Sequence, residues 1–337
     1  MTAGGTIGVA VVGTGFGARV VAPAFAATEG MSVVAVVSAR DDAAVAAAAA
    51  DPRVALVSVH SPPFLHERHV RIALDAGRSV LCDKPFTTAA EVSRRLVADT
   101  RGAPGVHLVN FEFRFDPVRR RARELVKAGV LGPVEQLTWT HCTAGSRIPL
   151  RPYGWLFDRE RGGGWIGAWA SHAVDAVRFT VDEVDAVVHS VPRLAVPERP
   201  DADDPDGPWR TCTAEDGLSA LLTLRGGAGD TIDSTFAASA SMPPRITIVG
   251  SDAVLEIVGD RRLSVRDASG GRDDLAFTVD AAADHHEGPM LAMAAAVRDA
   301  VTSGPVHPDL ATFADGLACD LILDQLRAAP LTRATTP

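Results

Sequence analysis

The sequence is poor in the residues that would place it in several common classes. It holds one tyrosine, Tyr153, and four cysteines, Cys82, Cys142, Cys212 and Cys319, in 337 residues. Tyr153 has no lysine four residues on, which argues against the Tyr/Lys proton-transfer pair of short-chain dehydrogenases. The cysteines lie far apart with no CxxC pairing, so neither a disulfide framework nor a zinc site is predicted, and a reducing, cytoplasmic compartment is expected. No apolar run approaches the roughly 18 residues that cross a bilayer, and Met1 to Ile7 carries no basic region ahead of an apolar one, so no membrane role is expected. Cations are also in deficit: 33 Lys and Arg stand against 42 Asp and Glu, a formal charge of -9. That balance repels polyanions, and nucleic acid is not expected as a main partner.

What is present is aliphatic. With 47% hydrophobic and 22% charged residues the chain can bury a large core, and its length predicts two domains. The first third alternates β-branched apolar runs with helical periodicity: strands over 7–12, 32–37, 55–59, 79–82 and 106–111, with helices between them, one of them the alanine run 43–50. This is the pattern of a doubly wound α/β domain with a parallel sheet. After Asp116-Pro117 a basic helix over 118–128 is followed by a strand, a glycine-opened helix, and then short alternating runs between Gly, Pro and Asp. These predict an open, mostly antiparallel sheet. The expected division is therefore residues 1–116, an NAD(P)-binding Rossmann domain, and 117–337, an α+β domain for substrate binding and oligomerisation.

Gly13-Thr14-Gly15-Phe16-Gly17-Ala18 lies directly between the first strand and the first helix, the setting of a dinucleotide-binding turn. Gly13 permits the turn, Gly15 lets backbone approach a pyrophosphate, and Ala18 lets the helix pack close to the strand. At the end of the second strand stand Ser38 and Arg40, with no carboxylate in the first positions. A hydroxyl and a guanidinium suit the 2′-phosphate of NADP, and NAD is the alternative cofactor. Asp83-Lys84-Pro85 closes the strand 79–82 at the edge where open α/β sheets keep their ligands, so Lys84 can reach a substrate oxygen. Asp284-His285-His286-Glu287 reads as a solvated helix start, and no metal is expected.

Together with Ser61-Pro62-Pro63-Phe64-Leu65-His66, the segment Asn110 to Asp116, Tyr153-Gly154-Trp155, the stretch GGGWIGAWASHAVD and Thr312 to Gly316, these motifs resemble the Gfo/Idh/MocA family of NAD(P)-dependent oxidoreductases. The resemblance runs from about residue 6 to 328 and covers both predicted domains. It implies oxidation of sugar or cyclitol hydroxyls or reduction of related carbonyls, and a homo-oligomer, dimer or tetramer, formed through the second sheet. It makes Lys84 the active-site lysine and His172 the second catalytic residue. Ser61, Pro62, His66 and Asp83 then join the cofactor site, and Asn110, Arg114, Trp155 and Asp175 lie toward a small polar substrate.

Two departures stand out. Ala168 occupies the place, four residues before His172, where inositol-dehydrogenase-like members carry an aspartate, so the lysine, aspartate and histidine relay is incomplete. The chain also lacks an edge strand and its helix between the alanine run and Asp51-Pro52, which shortens the sheet on the adenine side. Both departures motivate an alternative reading as a non-catalytic NADP-binding sensor or scaffold of the same fold.

Overall fold

In the computed structural model the described residues are 6–202, 204, 206–277, 284–304 and 306–333. The chain divides into two compact units: Met1–Asp116 with Ala281–Leu321, and Pro117–Asp280 with Ile322–Pro337. The first break falls at Asp116/Pro117, where the pattern of the sequence changes, and residues 284–304 and 306–321 group with the first unit rather than with the second sheet.

The first unit is built on parallel strands β1 (Ile7–Val12), β2 (Met31–Val37), β3 (Val54–Val59), β4 (Ser79–Asp83) and β5 (His107–Asn110). Their order across the sheet is β5-β4-β3-β1-β2, with the short strand Ala311–Thr312 antiparallel on the far side of β5. All six residues of β1 are buried, which explains its unbroken apolar sequence. β2 lies at the edge of the sheet, and only Met31 of its residues is buried. The alanine helix Asp42–Ala50 starts where the Asp41 side chain accepts the Ala44 N–H at 3.0 Å, and it buries Val45, Ala48 and Ala49. Helix Glu287–Ser303 packs Met290, Met293 and Val297 into the same core as Val9, Val21 and Phe25.

The second unit is a nine-stranded sheet. β6 (Val134–Cys142) and β7 (Val184–Leu194) are followed by a small ribbon of β8 (Glu198–Arg199) and β9 (Arg210–Thr211). Then come β10 (Gly217–Leu224), β11 (Gly229–Thr235), β12 (Arg245–Gly250), β13 (Ala253–Val258), β14 (Arg262–Asp267) and β15 (Arg272–Ala276). The order β15-β14-β13-β12-β6-β11-β10-β7 ends on Thr332–Arg333. Most pairs are antiparallel as expected, but β6 and β11 at the centre run parallel. Helices Pro117–Lys127 and Ser171–Thr180 cover one face, where Leu137, Trp139, Ile246, Ile248 and Ile257 meet Ala122, Ala176 and Val177. Gln136, Thr140, Leu221, Thr231 and Asp233 lie on the other face and are exposed. Among the described residues, no helix is long and apolar enough to cross a membrane.

Asp230 is the odd residue of this sheet. It alternates with Ile232 on the covered side of β11, is fully buried, and neither carboxylate oxygen has a hydrogen-bond partner. Burial pushes its pKa from 3.8 up to about 7. The folded protein therefore holds this proton more tightly than the unfolded chain, and the charged group destabilises the fold fully above about pH 7 but not below about pH 4. Asp230→Asn is expected to raise the thermal midpoint at pH 8 by about 3 °C or more. The gain should shrink toward zero as the pH is lowered to about 4. A scanning fluorimetry series in which the gain is flat with pH would show that Asp230 is not the buried charge described.

Candidate active site

The carboxyl ends of β1, β3, β4 and β5 bring most of the predicted residues of the first unit together. Gly13 sits at φ +127°, and a Cβ there would lie 2.4 Å from the His60 carbonyl oxygen, so the turn after β1 can pass β3 only as glycine. Thr14 and Gly15 are exposed at the tip, and a Cβ at Gly15 would meet nothing within 4 Å. An open backbone after a buried strand is what a dinucleotide phosphate needs, so the cradle fits the cofactor its sequence implies. The helix that follows opens with a wide turn over Gly17–Val21, in which Ala22 N–H reaches the Gly17 carbonyl. Ser38 and Arg40 are exposed at the end of β2, with the Arg40 N–H donating to Ser38 Oγ at 3.2 Å.

Asp83 is the centre of the neighbouring corner. Its carboxylate accepts the Lys84 N–H at 2.9 Å and Asn110 Nδ2 at 3.3 Å, and lies 3.3 Å from His60 Nδ1. Register makes this possible, because Asp83 and Asn110 are paired across β4 and β5. Burial alone would raise the Asp83 pKa, but the hydrogen bond and charge of His60, with Lys84 and His66 nearby, hold it well below the usual carboxylate range. His60 is itself buried, with Nε2 2.7 Å from Ser58 Oγ.

The loop after Lys84 is fastened from two sides. His66 is buried with Nε2 2.7 Å from the Ser61 carbonyl and Nδ1 3.1 Å from those of Pro85 and Phe86, and burial pushes its pKa down. His66 thus ties the Ser61-Pro62 turn to the lysine corner through backbone. On the other side Asp320 accepts the Thr87 N–H at 3.0 Å and Ser93 Oγ at 2.5 Å. A Cβ at Gly316, in the same helix as Asp320, would fall 2.8 Å from Phe86 and Val109. Arg114 is buried and bound to Asp315 at 3.2 Å, which commits at least part of its guanidinium to the first unit.

In the second unit the three glycines open the helix that carries His172. Gly163 would place a Cβ 2.3 Å from the carbonyl of Trp155, which is itself half-buried. Gly164 stands at φ +101° with its Cβ space filled by Glu215, 2.2 Å from Oε1. Glu215 is buried, accepts the Ile166 N–H on Oε1 at 3.0 Å, and takes the Trp165 N–H on its own carbonyl at 2.9 Å. Arg327 Nε stands 3.8 Å from this carboxylate while its Nη2 donates to the Gly163 carbonyl at 3.1 Å. Burial pushes the Glu215 pKa up, opposed by Arg327 and the backbone N–H groups. A carboxylate at a helix N-terminus also meets the positive end of the helix dipole.

From this cap the helix again begins wide, over Ile166–Ala170, and continues as Ser171–Thr180. Trp165 stacks on Phe236 at 4.5 Å and donates Nε1 to Ser234 Oγ at 2.8 Å, which pins the helix to the sheet. His172 and Asp175 are both buried on this helix, and Ala168 is half-buried one turn before His172. Sequence reasoning missed His60, Glu215, Asp320 and Arg327. His60 had a signal, since it directly precedes Ser61-Pro62 at the end of a buried strand.

Comparison with known proteins agrees with this architecture. Residues 7–111 match the model described as "Oxidoreductase family, NAD-binding Rossmann fold", and residues 119–256 match the GFO/IDH/MocA C-terminal domain. An uncharacterized oxidoreductase of Synechocystis sp. is 30% identical over 275 residues, covering 77% of this chain and 74% of that protein. D-xylose 1-dehydrogenase (NADP(+)) 2 of Haloferax volcanii is 30% identical over 244 residues, 67% of this chain and 68% of that one. Levoglucosan dehydrogenase, solved in complex with NADH and levoglucosan, superposes with a TM-score of 0.83 over 96% of both chains at 21% identity, a likeness of fold.

The two families of glycine can be told apart by experiment. Gly15→Ala should leave the thermal midpoint unchanged and weaken NADPH binding about tenfold, since its Cβ takes ligand space and nothing else. Gly164→Ala should instead lower the midpoint by about 3 °C or more, because its Cβ collides with Glu215. Fluorescence titration and scanning fluorimetry check both, and a destabilised Gly15→Ala protein would contradict the open cradle. On its fold, its motifs and these matches, the chain belongs to the GFO/IDH/MocA family of oxidoreductases and carries that family's NAD-binding Rossmann domain.

Proposed function

We propose that this oxidoreductase is NADP-dependent and moves a hydride between the nicotinamide and a carbonyl or hydroxyl-bearing carbon of a small sugar- or cyclitol-like substrate. The observation that carries the reading is the Asp83-Lys84 corner. A carboxylate held ionised by His60 and tied to the Lys84 N–H and to Asn110 fixes the lysine's backbone at the carboxyl end of the sheet. Gly13 to Ala18 hold the pyrophosphate. Ser38 and Arg40, exposed at the end of β2 and ahead of the helix cap Asp41, favour the 2′-phosphate. The relative from Haloferax volcanii, whose name includes NADP(+), supports the same choice, and the names of both dehydrogenases above support a sugar-like substrate.

The nicotinamide, when bound, supplies or accepts the hydride. Lys84 takes the proton of the substrate hydroxyl in oxidation and returns it to the carbonyl oxygen in reduction. His172, in the second unit, is the second catalytic residue of this reading. With Ala168 one turn before it, the imidazole relies on neighbours other than a carboxylate there. Asn110 and Arg114 in the first unit, and Trp155 and Asp175 in the second, are the substrate-binding residues of this reading. Gln136, Thr140, Leu221 and Asp233 offer the surface for a homo-oligomer. Ala168 is also the observation that favours the sensor reading, in which the chain binds NADP without turnover.

Lys84→Met is expected to reduce turnover by about a hundredfold or more while leaving the Kd for NADPH unchanged. Turnover within a few-fold of the parent would remove Lys84 from proton transfer. Tight NADPH binding by the parent with no oxidation across a panel of keto-sugars, cyclitols and imines would establish the sensor reading instead.

A further inference from the structure

In the first unit, ahead of helix Glu287–Ser303, one imidazole lies against the glycine turn and a second lies beside it. His286 sets its ring edge-on to Phe16, with centroids 5.0 Å apart and planes at 74°. His285 stacks on Phe113 at 5.6 Å and 9°, and together with Asp284 the two histidines place ligand-type atoms within 4.8 Å of one another. Beneath them lies Glu112, 1% exposed, whose Oε1 is 2.6 Å from His286 Nδ1 and whose other oxygen has no hydrogen-bond partner. A carboxylate so deeply buried is costly unless a donor faces it, so Nδ1 is the nitrogen that carries the hydrogen. The ring is thereby fixed, and Nε2 lies on the edge turned away from Glu112. About a fifth of the His286 side chain is open, 22% against 1% for its partner.

A half-buried histidine whose orientation is fixed by a buried carboxylate, with its ring edge-on to Phe16, has the build of a binding residue. We propose that His286 is a further cofactor-binding residue, giving Nε2 to a pyrophosphate or nicotinamide-ribose oxygen of the dinucleotide held by the 13–17 turn, with Glu112 as its positioning residue. The inference rests on the reading of that turn as the NADP site. It adds to it a contact from the far end of the chain that neither motif nor periodicity indicates.

The test uses NADPH and adenosine 2′-monophosphate, which has the adenine end alone, titrated against the full-length protein, Glu112→Gln, and the pair Glu112→Gln with His286→Phe. The double variant keeps an aromatic ring against Phe16 and leaves no buried charge unpaired. It should bind NADPH about tenfold more weakly and adenosine 2′-monophosphate as tightly as the parent. Glu112→Gln alone should fall between the two. NADPH affinity within twofold of the parent in the double variant would overturn the assignment of His286. So would an equal loss for adenosine 2′-monophosphate, which would mark a general loss of structure. Parental binding that appears only on adding Zn2+ would also overturn it, by making the cluster a metal site. A parent that binds no pyridine nucleotide at all would instead remove the cofactor reading of the turn.

Discussion

The Asp83 carboxylate sets the position of nearly everything at the carboxyl edge of the first sheet. Half-buried at the end of β4, it is held ionised by His60 from the end of β3 while Asn110 approaches from β5. Three adjacent strands are thus joined at their tips by one side chain, in addition to their backbone ladders. The same carboxylate takes the Lys84 N–H, so the lysine leaves the strand in a direction fixed by the sheet itself. A histidine, fully buried and anchored on Ser58, comes to meet the aspartate.

Both functional helices begin in the same way. The wide turn at Gly17–Val21 follows the glycine turn of β1, and the wide turn at Ile166–Ala170 follows the three glycines capped by Glu215. Such turns add backbone within a helix and re-aim the residues on either side, and they are frequent at functional sites. In each unit a glycine run frees the chain and a partner fixes it again: the His60 carbonyl for Gly13, the Glu215 carboxylate for Gly164. The glycines are therefore not interchangeable, since some leave room for a ligand and others for the protein's own groups.

Much of this was readable from the chain alone where the cause is local. The buried parallel strands show as β-branched runs because both faces are covered, and Gly13 to Ala18 shows as a dinucleotide turn because strand, glycines and helix are contiguous. The edge position of β2 followed from a missing stretch. What could not be read were pairings between residues remote in sequence. Glu215 and Gly164, Asp320 and Thr87, and Glu112 and His286 lie far apart along the chain, and none of these contacts leaves a periodic trace. The place of helix Glu287–Ser303 in the first unit is hidden for the same reason, since nothing local in its sequence names the core it enters. The parallel pairing of β6 with β11 at the centre of a mostly antiparallel sheet is likewise a matter of topology, since alternation predicts a strand and not its neighbour.

The helix Phe313–Ala328 bears on both sets of site residues from a position close to the end of the chain. Its Asp320 holds the loop behind Lys84, and its Arg327 holds the glycines ahead of His172. Asp320 and Arg327 lie two turns apart on this one helix, so anything that unwinds it loosens both the loop behind Lys84 and the glycines ahead of His172.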